Sequence, residues 1–297
     1  MSITEKALWI LERNSDRELR LNDIARACGV SRSHLANAFG TATGWPVMKY
    51  LKARRLTEAA YLLAAGAGDI LTLALESGYG SHEAFTRAFR DQFGQTPERV
   101  RSNASLEGLA ITPPLRLQSG EARCTLPQLK QLGRMRLVGL AAPCSYNGTT
   151  HIPAQWQRFM SSHYDAIPEK VESMPIGICE PPDDEGSFRY VCAAEVKAFE
   201  RRSPDLTYIE TKPRAYAVFR HNEHVSKIFD TYSAIWNKAL PEMARTMADG
   251  PVMEFHNDAF DPDTGLGGLQ IWVPLLNADE ERTHAEGGPT SAERGAV

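Results

Sequence analysis

The sequence predicts two domains: an all-α domain of two repeated helix pairs, followed by an α+β domain of two similar halves. Three observations predict this organisation. A pattern of turn, cap and apolar positions recurs at an offset of fifty residues within 1–105. A strand-helix-strand-strand order recurs within 124–277. The length of 297 residues suits two domains of ordinary size.

The composition is typical of a globular protein without a membrane or secretory segment. Hydrophobic residues make up 42% and charged residues 24% of the chain, and no apolar run approaches the ~20 residues of a membrane span. The first residues lack the basic segment and apolar core of a secretory signal. We therefore expect a cytoplasmic protein with no membrane partner.

The cysteines predict neither a disulfide framework nor a metal site. They are five in number, scattered and without a Cys-x-x-Cys pair: Cys28, Cys124, Cys144, Cys179 and Cys192. This pattern is typical of reduced thiols, and we expect no metal and no cofactor.

The net charge differs between the two predicted domains. Residues 1–105 carry 14 Lys and Arg against 11 Asp and Glu, a net charge of +3. The total of −4 therefore leaves −7 to the remaining residues. A basic first domain joined to an acidic second domain indicates, weakly, that only the first meets a polyanion.

The repeat in the first domain has the residues of a helix-turn-helix. A serine, three apolar positions and a glycine recur: Ser31, Leu35, Ala38, Phe39 and Gly44, then Ser81, Phe85, Ala88, Phe89 and Gly94. Upstream, Gly29 and Gly78 each follow a short apolar segment, where a left-handed residue ends a helix. Each serine then caps a second helix whose apolar residues form one buried face. A short helix, a glycine turn and a second helix make a helix-turn-helix.

A connecting helix is predicted between the two units, over residues 46–64. Pro46 suits its first turn, and Gly66 and Gly68 mark its end. These nineteen residues form a rod of roughly 28 Å, close to the ~34 Å between successive major grooves on one face of DNA. The two reading helices would then enter adjacent grooves without a dimer.

Residues 3–101 resemble the DNA-binding domain of the AraC/XylS family. Residues 54–63 resemble that family's linker helix, and residues 78–97 resemble its signature in the second unit almost throughout. The resemblance implies a transcription regulator that binds double-stranded promoter DNA, with RNA polymerase as a further partner. Helix pairs without a DNA partner are the weaker alternative, because turn, cap and apolar stripe recur together.

The outward faces of the two second helices predict the DNA contacts. The candidates are Arg32, Ser33, Ala36 and Asn37 on the first, and His82, Glu83, Thr86, Arg87 and Arg90 on the second. In the AraC/XylS family the matching positions, Arg32 and Arg90 apart, lie toward bases or phosphates. Arginine reads guanine and asparagine reads adenine, so Arg87 and Asn37 are the best base-reading candidates, with a phosphate contact as the alternative for Arg87. Arg54 and Arg55 either contact phosphate, or one of them pairs with an acid such as Glu58.

The second domain follows a linker, predicted at 106–123 because residues 102–124 contain Ser, Asn, Gly and a Pro113-Pro114 pair. Two strands, at 137–142 and 216–220, are each followed by a helix rich in aromatic residues. Each half then has a strand led by a proline, an acidic or Asn turn and a closing strand, at 190–196 or 269–275. Two β-α-β-β halves form a pseudo-twofold α+β domain with a cleft between them.

Residues 124–277 resemble the GyrI-like effector-binding domain. Residues 250–254 and 269–275 carry most of the likeness. The resemblance implies a small-molecule effector as a partner. Many members of that family have a pocket glutamate at the position of Gln270. Because glutamine cannot neutralise a cation, we expect neutral ligands to compete well with cationic ones.

Aromatic residues with few polar groups predict the ligand pocket. The candidates are Tyr146, Trp156, Glu195, Tyr232, Trp236, Glu254, Gln270 and Trp272. Strand alternation places Gln270 and Trp272 on one face of the closing strand, away from the helices. Core packing is the alternative for each aromatic residue, and solvent-facing edge positions are the alternative for Glu195 and Glu254.

The sequence as a whole predicts a transcription regulator whose second domain senses an apolar or aromatic ligand. The alternatives for the second domain are a small-molecule hydrolase or a module for protein contacts. No nucleophile–base pair stands out, so we expect no enzyme. The tail, 278–297, is polar and rich in glycine, which predicts disorder.

Overall fold

The computed structural model describes residues 1–13, 19–115, 117, 124–146, 152–200, 202–243, 245–262, 264–277 and 280–281. The tail predicted to be disordered lies outside the described residues, apart from 280–281. No helix in the described part of the chain is long and apolar enough to cross a membrane.

Seven helices are described in the N-terminal domain. They are α1 (Ile3–Arg13), α2 (Leu21–Cys28), α3 (Arg32–Thr43), α4 (Val47–Ala64), α5 (Ile70–Glu76), α6 (His82–Phe93) and α7 (Pro97–Asn103). The helix pairs α2–α3 and α5–α6 are the two predicted helix-turn-helix units, and α4 is the predicted connecting helix.

The predicted turns and caps are confirmed. Gly29 and Gly78 adopt left-handed backbone angles, with φ of 75° and 76°. The hydroxyl of Ser31 accepts a hydrogen bond from the His34 amide at 3.2 Å, and that of Ser81 accepts one from the Ala84 amide at 3.2 Å. Both turns therefore form because glycine tolerates the left-handed region and serine satisfies a free helix N–H group.

The inner stripes of the two reading helices are buried as predicted. Leu35 and Phe39 of α3, and Phe85 and Phe89 of α6, are fully buried. Each such side chain stabilises the fold by about 1.5–3 kcal/mol relative to an exposed position. The predicted linker differs from expectation, since Leu106 and Ile111 pack against the core around α6. The Thr112 amide also donates to Thr57 of α4 at 3.1 Å.

The C-terminal domain contains one antiparallel sheet of eight described strands. They are β1 (Gln128–Leu132), β2 (Arg136–Ser145), β3 (Ile176–Cys179), β4 (Ser187–Val196), β5 (Thr207–Glu210), β6 (Arg214–His221), β7 (Val252–His256) and β8 (Leu269–Pro274). The strand order is β1-β6-β8-β7-β3-β4-β2-β5. This order is symmetric about the β7–β3 pair, which confirms the predicted pseudo-twofold arrangement.

Two strands of this sheet were not predicted, and they exchange between the halves. The edge strand β1 precedes the first half along the chain but pairs with β6 of the second. The edge strand β5 precedes the second half but pairs with β2 of the first. Each half therefore supplies the outer strand of the other, which ties the two halves into one domain.

All described helices of this domain pack on one face of the sheet, here called the helix face. The first half contributes α8 (Ile152–Ser162). The second half contributes a continuous helix, formed by α9 (Ile228–Ala234), a π-helical segment (Ile235–Ala239) and α10 (Leu240–Glu242). We call residues 228–242 the α9–π segment.

The two domains share one hydrophobic cluster. Leu8 and Phe39 of the N-terminal domain belong to the same buried cluster as Trp236 and Leu240 of the α9–π segment. The helices in contact are α1 and α3 on one side and the α9–π segment on the other. The first helix-turn-helix unit therefore packs directly against the C-terminal domain.

Candidate functional site

The outer face of α6 is open to solvent. Glu83, Arg87 and Arg90 are exposed, and His82 is half-exposed with its Nε2 atom 3.2 Å from the Glu98 carboxylate. The Thr86 hydroxyl is buried without a partner among the described residues. The structure thus presents three charged side chains of α6 on one surface, while their DNA contacts remain a prediction.

The outer face of α3 is covered by the C-terminal domain, contrary to the prediction that it is free to face DNA. The Arg32 guanidinium lies 2.5 Å from the Asp184 carboxylate. Ser33 is buried and its hydroxyl donates to Asp249. Ala36 is also buried. The face is covered because two acidic turns of the C-terminal domain reach the N-terminal end of this helix.

An aromatic side chain covers the middle of α3. The Tyr146 hydroxyl donates to the Asn37 side-chain oxygen at 3.2 Å. The ring lies so close to Gly40 that a Cβ atom there would overlap it. Tyr146, predicted to line the ligand pocket, therefore lies in the contact between the domains.

A buried histidine joins α3 to the α9–π segment. The Nε2 atom of His34 donates to the Trp236 carbonyl at 2.7 Å. Burial lowers the pKa of His34, although this hydrogen bond opposes the shift, so the ring is neutral at physiological pH. Nearby, the side-chain oxygen of Asn237 accepts hydrogen bonds from both the amide and the hydroxyl of Thr4, at 3.1 and 2.8 Å.

Arg54 does not reach the surface, which corrects its prediction as a phosphate contact. Its guanidinium is buried and pairs with Glu12 at 3.0 Å and with Glu58 at 2.7 Å. It also donates to the Thr112 carbonyl at 2.8 Å. The predicted alternative, an ion pair four residues along the helix, is confirmed for Arg54. Arg55 packs under the turn at Gly78, and its phosphate contact remains a prediction.

A buried carboxylate lies at the centre of the helix face. Glu254 of β7 accepts hydrogen bonds from the hydroxyls of Tyr190 at 2.7 Å and Tyr232 at 2.6 Å. The Cys179 thiol lies 3.9 Å from the same carboxylate. The Trp156 indole N–H donates to the Tyr190 hydroxyl at 3.1 Å. This arrangement, here called the Glu254 cluster, joins residues from both halves of the domain.

The aromatic residues of the Glu254 cluster remain neutral donors. Burial raises the pKa of Tyr190 and Tyr232 well above the usual range, and the nearby Glu254 charge raises both further. The Tyr232 and Trp236 rings are stacked at 5.9 Å with an interplanar angle of 11°. Both phenols can therefore donate to the carboxylate while the stacked rings close the cluster on its helical side.

The other predicted pocket residues lie on the opposite face of the sheet, so the prediction of a single pocket is wrong. Trp272 and Gln270 point away from the helices, as alternation required, and Trp272 packs with Val191, Ala193 and other residues of that face. Glu195 pairs across the ladder with Leu137, which belongs to the same buried group. Since neighbouring residues of a strand point to opposite faces, Gln270 cannot reach the Glu254 cluster.

An exposed lysine of the edge strand lies over the Trp272 ring. The ammonium of Lys130 on β1 lies 5.2 Å from the centre of the Trp272 ring. Phe255 and Tyr216 flank the ring at 4.7 and 5.9 Å. Burial raises the pKa of Glu195 on this face. Trp272 is thus packed among side chains of the protein itself.

Open space lies elsewhere in the domain. A cleft of about 340 Å³ is lined by Val138, Phe199, Tyr208 and neighbouring residues. None of the predicted pocket residues lines it. In the described part of the chain, no group of three or more His, Cys, Asp or Glu side chains is arranged to hold a metal ion.

Sequence reasoning missed several residues that the structure brings to these sites. Tyr190, Cys179, His34, Asp184 and Asp249 were not among the candidates. Tyr190 lies on a predicted strand, and the alternation of that strand assigns it to the face opposite Val191. The partners of the two aspartates are 152 and 216 residues away, so no local pattern could have identified them.

Comparisons with known proteins agree with this architecture. Residues 24–103 match a helix-turn-helix domain, and residues 126–276 match a GyrI-like small molecule binding domain. The chain is 27% identical over 274 residues to the transcriptional regulator Rob of Salmonella typhimurium, covering 89% of this chain and 92% of Rob. It is 33% identical over 99 residues to the regulatory protein SoxS of Escherichia coli, covering 33% of this chain and 92% of SoxS.

A solved structure resembles the C-terminal domain. The structure of SAV2435 bound to tetraphenylphosphonium matches with a TM-score of 0.40 and 22% identity. The match covers 53% of this chain and 98% of that one.

Proposed function

The chain belongs to the GyrI-like small molecule binding family and is a transcription regulator with an AraC-type DNA-binding domain; we propose that its ligand is an aromatic organic cation held by Glu254. The observation that carries this proposal is the environment of that carboxylate. Glu254 is buried, and its described partners are two phenols and a thiol.

Electrostatics favours a cationic ligand over a neutral one. A buried carboxylate loses several kcal/mol of hydration, which neutral donors offset only in part. No Lys or Arg of the described residues forms an ion pair with Glu254. A ligand cation would supply the missing charge, and the Trp156, Tyr232 and Trp236 rings would supply cation–π contacts. Gln270, whose lack of charge favoured neutral ligands, lies on the other face of the sheet.

Entry of the ligand requires movement of the α9–π segment. Tyr232 and Trp236 are buried. Tyr232 is hydrogen-bonded to Glu254 and stacks on Trp236, so a ring bound at Glu254 must displace at least one of them. Residues 235–239 are π-helical, a geometry that is rare in helices and common at functional sites. We therefore assign the α9–π segment as the part of the domain that responds to the ligand.

For DNA recognition we propose that α6 reads bases, with Arg87 as the main reader. Its guanidinium is exposed and matches the donor pattern that guanine accepts in the major groove. The same proposal includes RNA polymerase as the partner in transcription and the bacterial cytoplasm as the location. It also includes the absence of enzymatic activity, because all three follow from a role in regulation.

The test of the ligand proposal compares two carboxylates on opposite faces of the sheet. Tetraphenylphosphonium is titrated into the full chain while tryptophan fluorescence is recorded. We expect Glu254→Gln to weaken binding by about tenfold or more, since contacts to a buried charge contribute about 1.5–3 kcal/mol. The matched control is Glu195→Gln, which makes the same change on the face of Trp272 and should leave affinity unchanged.

The neutral compound triphenylphosphine oxide serves as a second comparison. It carries similar rings without the charge, so we expect it to bind much more weakly to the wild type. Equal affinity of the Glu254→Gln variant and the wild type for the cation would refute the assignment. Loss of binding only in Glu195→Gln would move the site to the other face.

A further inference from the structure

The C-terminal domain covers the DNA-reading face of α3, and we propose that this contact is an autoinhibitory clamp on the first helix-turn-helix unit. In the closed arrangement only α6 is available to a major groove. Opening releases α3 and allows both units to bind. The ligand step of this inference, in which a cation at Glu254 favours opening, rests on the proposed function, whereas the clamp itself does not.

The clamp occupies the side chains that a groove-bound helix needs. A helix in the major groove presents its outer face to the base edges. Arg32, Ser33 and Asn37 of that face instead contact Asp184, Asp249 and Tyr146. These three partners lie in separate loops or strand ends of the C-terminal domain, so the cover extends over about two turns of α3. DNA and the C-terminal domain cannot occupy this face together.

The fit between the domains leaves no room for a nucleic acid strand. A Cβ atom at Gly40 would overlap the Tyr146 ring, and one at Gly186 would overlap the Pro46 side chain. The backbone of each domain is therefore in van der Waals contact with a side chain of the other. Both positions are glycine, which is the residue that permits such close approach.

The clamp is negatively charged where it meets α3, as the phosphate backbone of DNA would be. Asp184 and Asp249 place two carboxylates at the first turn of α3, where free N–H groups and the helix dipole favour an anion. Phosphate groups of a duplex would be attracted to the same end of the helix. The acidic C-terminal part of the chain, with a net charge of −7 from residue 106 onward, thus competes electrostatically with DNA for the basic N-terminal part.

One helical segment connects the clamp to the Glu254 cluster. On one side of the α9–π segment, the Tyr232 hydroxyl donates to Glu254 at 2.6 Å. At the other end of the same short segment, the Trp236 carbonyl accepts from His34 and the Asn237 side chain accepts from Thr4. A ligand that displaces Tyr232 or Trp236 therefore moves the residues to which α1 and α3 are bonded.

The second unit provides an internal comparison. Its reading helix exposes Glu83, Arg87 and Arg90. Among the described residues, no hydrogen bond or ion pair joins α6 to the C-terminal domain. The clamp is therefore specific to the first unit and predicts two modes of DNA binding, one with a single unit engaged and one with both.

The test uses the full chain and removes the two carboxylates of the clamp. Asp184→Asn combined with Asp249→Asn breaks the first-turn contacts without altering either reading helix or the Glu254 cluster. The matched control, Glu172→Gln combined with Asp205→Asn, removes the same two charges from exposed positions of the same domain. Each protein selects duplexes from a library with a random 30-base-pair core, and dissociation constants are measured on the selected duplexes.

We expect the clamp variant to select two sequence elements one helical turn apart, and the wild type and control to select one. On the two-element duplex the clamp variant should bind about three- to tenfold more tightly than the control, the gain expected from losing one exposed ion pair and one charged hydrogen bond. Selection of the same duplex with equal affinity by all three proteins would overturn the clamp.

A second variant keeps the test decisive if the double variant does not fold. Tyr146→Ala removes the ring from Gly40 without a change in charge, so a gain in affinity cannot come from weaker repulsion of DNA. We expect the same direction of change. A folded Tyr146→Ala protein with wild-type affinity for the two-element duplex would overturn the clamp.

The ligand arm separates the clamp from the proposed ligand site. Tetraphenylphosphonium should tighten binding of the wild type to the two-element duplex and have little effect on the clamp variant, which is already open. A gain in the clamp variant without any binding of the cation supports the clamp and refutes the ligand. Binding of the cation without a change in DNA affinity, in a protein whose clamp variant does gain affinity, overturns the coupling through the α9–π segment.

Discussion

Arg87 is the residue on which base reading by the second unit depends in our proposal. Arg87→Ala should weaken binding to the selected duplex by about 1–3 kcal/mol and relax the preference at one base pair, because a bidentate arginine–guanine contact is lost. Affinity is measured on the selected duplex and on single-base variants of it.

A matched control for Arg87 is available in the other domain. Arg158→Ala removes the same charge from an exposed position on α8 and should leave the sequence preference intact. Equal losses of Arg87→Ala on selected and random DNA would identify Arg87 as a phosphate contact and contradict base reading.

Residues differ in how far the sequence alone decided their roles. For Arg54 the sequence left open a phosphate contact or an ion pair with Glu58, and the structure decides for the ion pair through its burial. For Glu254 the sequence left open a pocket residue or an edge carboxylate. Its burial beside Tyr190 and Tyr232 excludes the edge position. The sequence left this open because both partners come from distant elements.

At the scale of the element, the serine caps are predicted to stabilise the reading helices. Ser81→Ala should lower the free energy of unfolding by about 0.5–2 kcal/mol, since the Ala84 amide at the start of α6 loses its partner. Urea denaturation followed by circular dichroism measures the effect. Ser102→Ala, at an exposed position in the last turn of α7, should be neutral or slightly stabilising because alanine favours helix. Equal stability of the two variants would contradict the capping role.

Helices were easier to predict here than edge strands. The turn glycines, caps and apolar stripes of α3 and α6 are local signals, and each is confirmed. The edge strand β1 contains Gln128, Lys130 and Gln131 and is largely exposed, so it lacks the alternation that marks a half-buried strand. Its position depends on pairing with β6, some ninety residues away along the chain.

At the scale of the whole molecule, the charge division and the clamp predict how truncation affects DNA binding. A fragment of residues 1–115, which retains the packed residues 106–115, should bind a mixed-sequence duplex more tightly than the full chain. Its affinity should also fall more steeply with salt, by about 0.9 in log–log slope for each added phosphate contact. Circular dichroism first establishes that the fragment is folded. A folded fragment that fails to retard DNA in a gel at low salt would contradict the prediction that DNA binding resides in this domain.

The sequence by itself determined the two-domain order, the duplicated helix-turn-helix units, the pseudo-twofold sheet and the kind of protein. The first three depend on local periodicity, caps and glycine turns, which act over a few residues and repeat along the chain. The kind of protein followed from the resemblance to the AraC/XylS and GyrI-like families. Only the tertiary structure decided that the predicted pocket residues divide between two faces of one sheet, and that the C-terminal domain covers α3. Both depend on which distant surfaces meet. Ser33 and Asp249 are in contact across 216 residues of sequence, and such a contact is set by the packing of whole domains rather than by any pattern within either one.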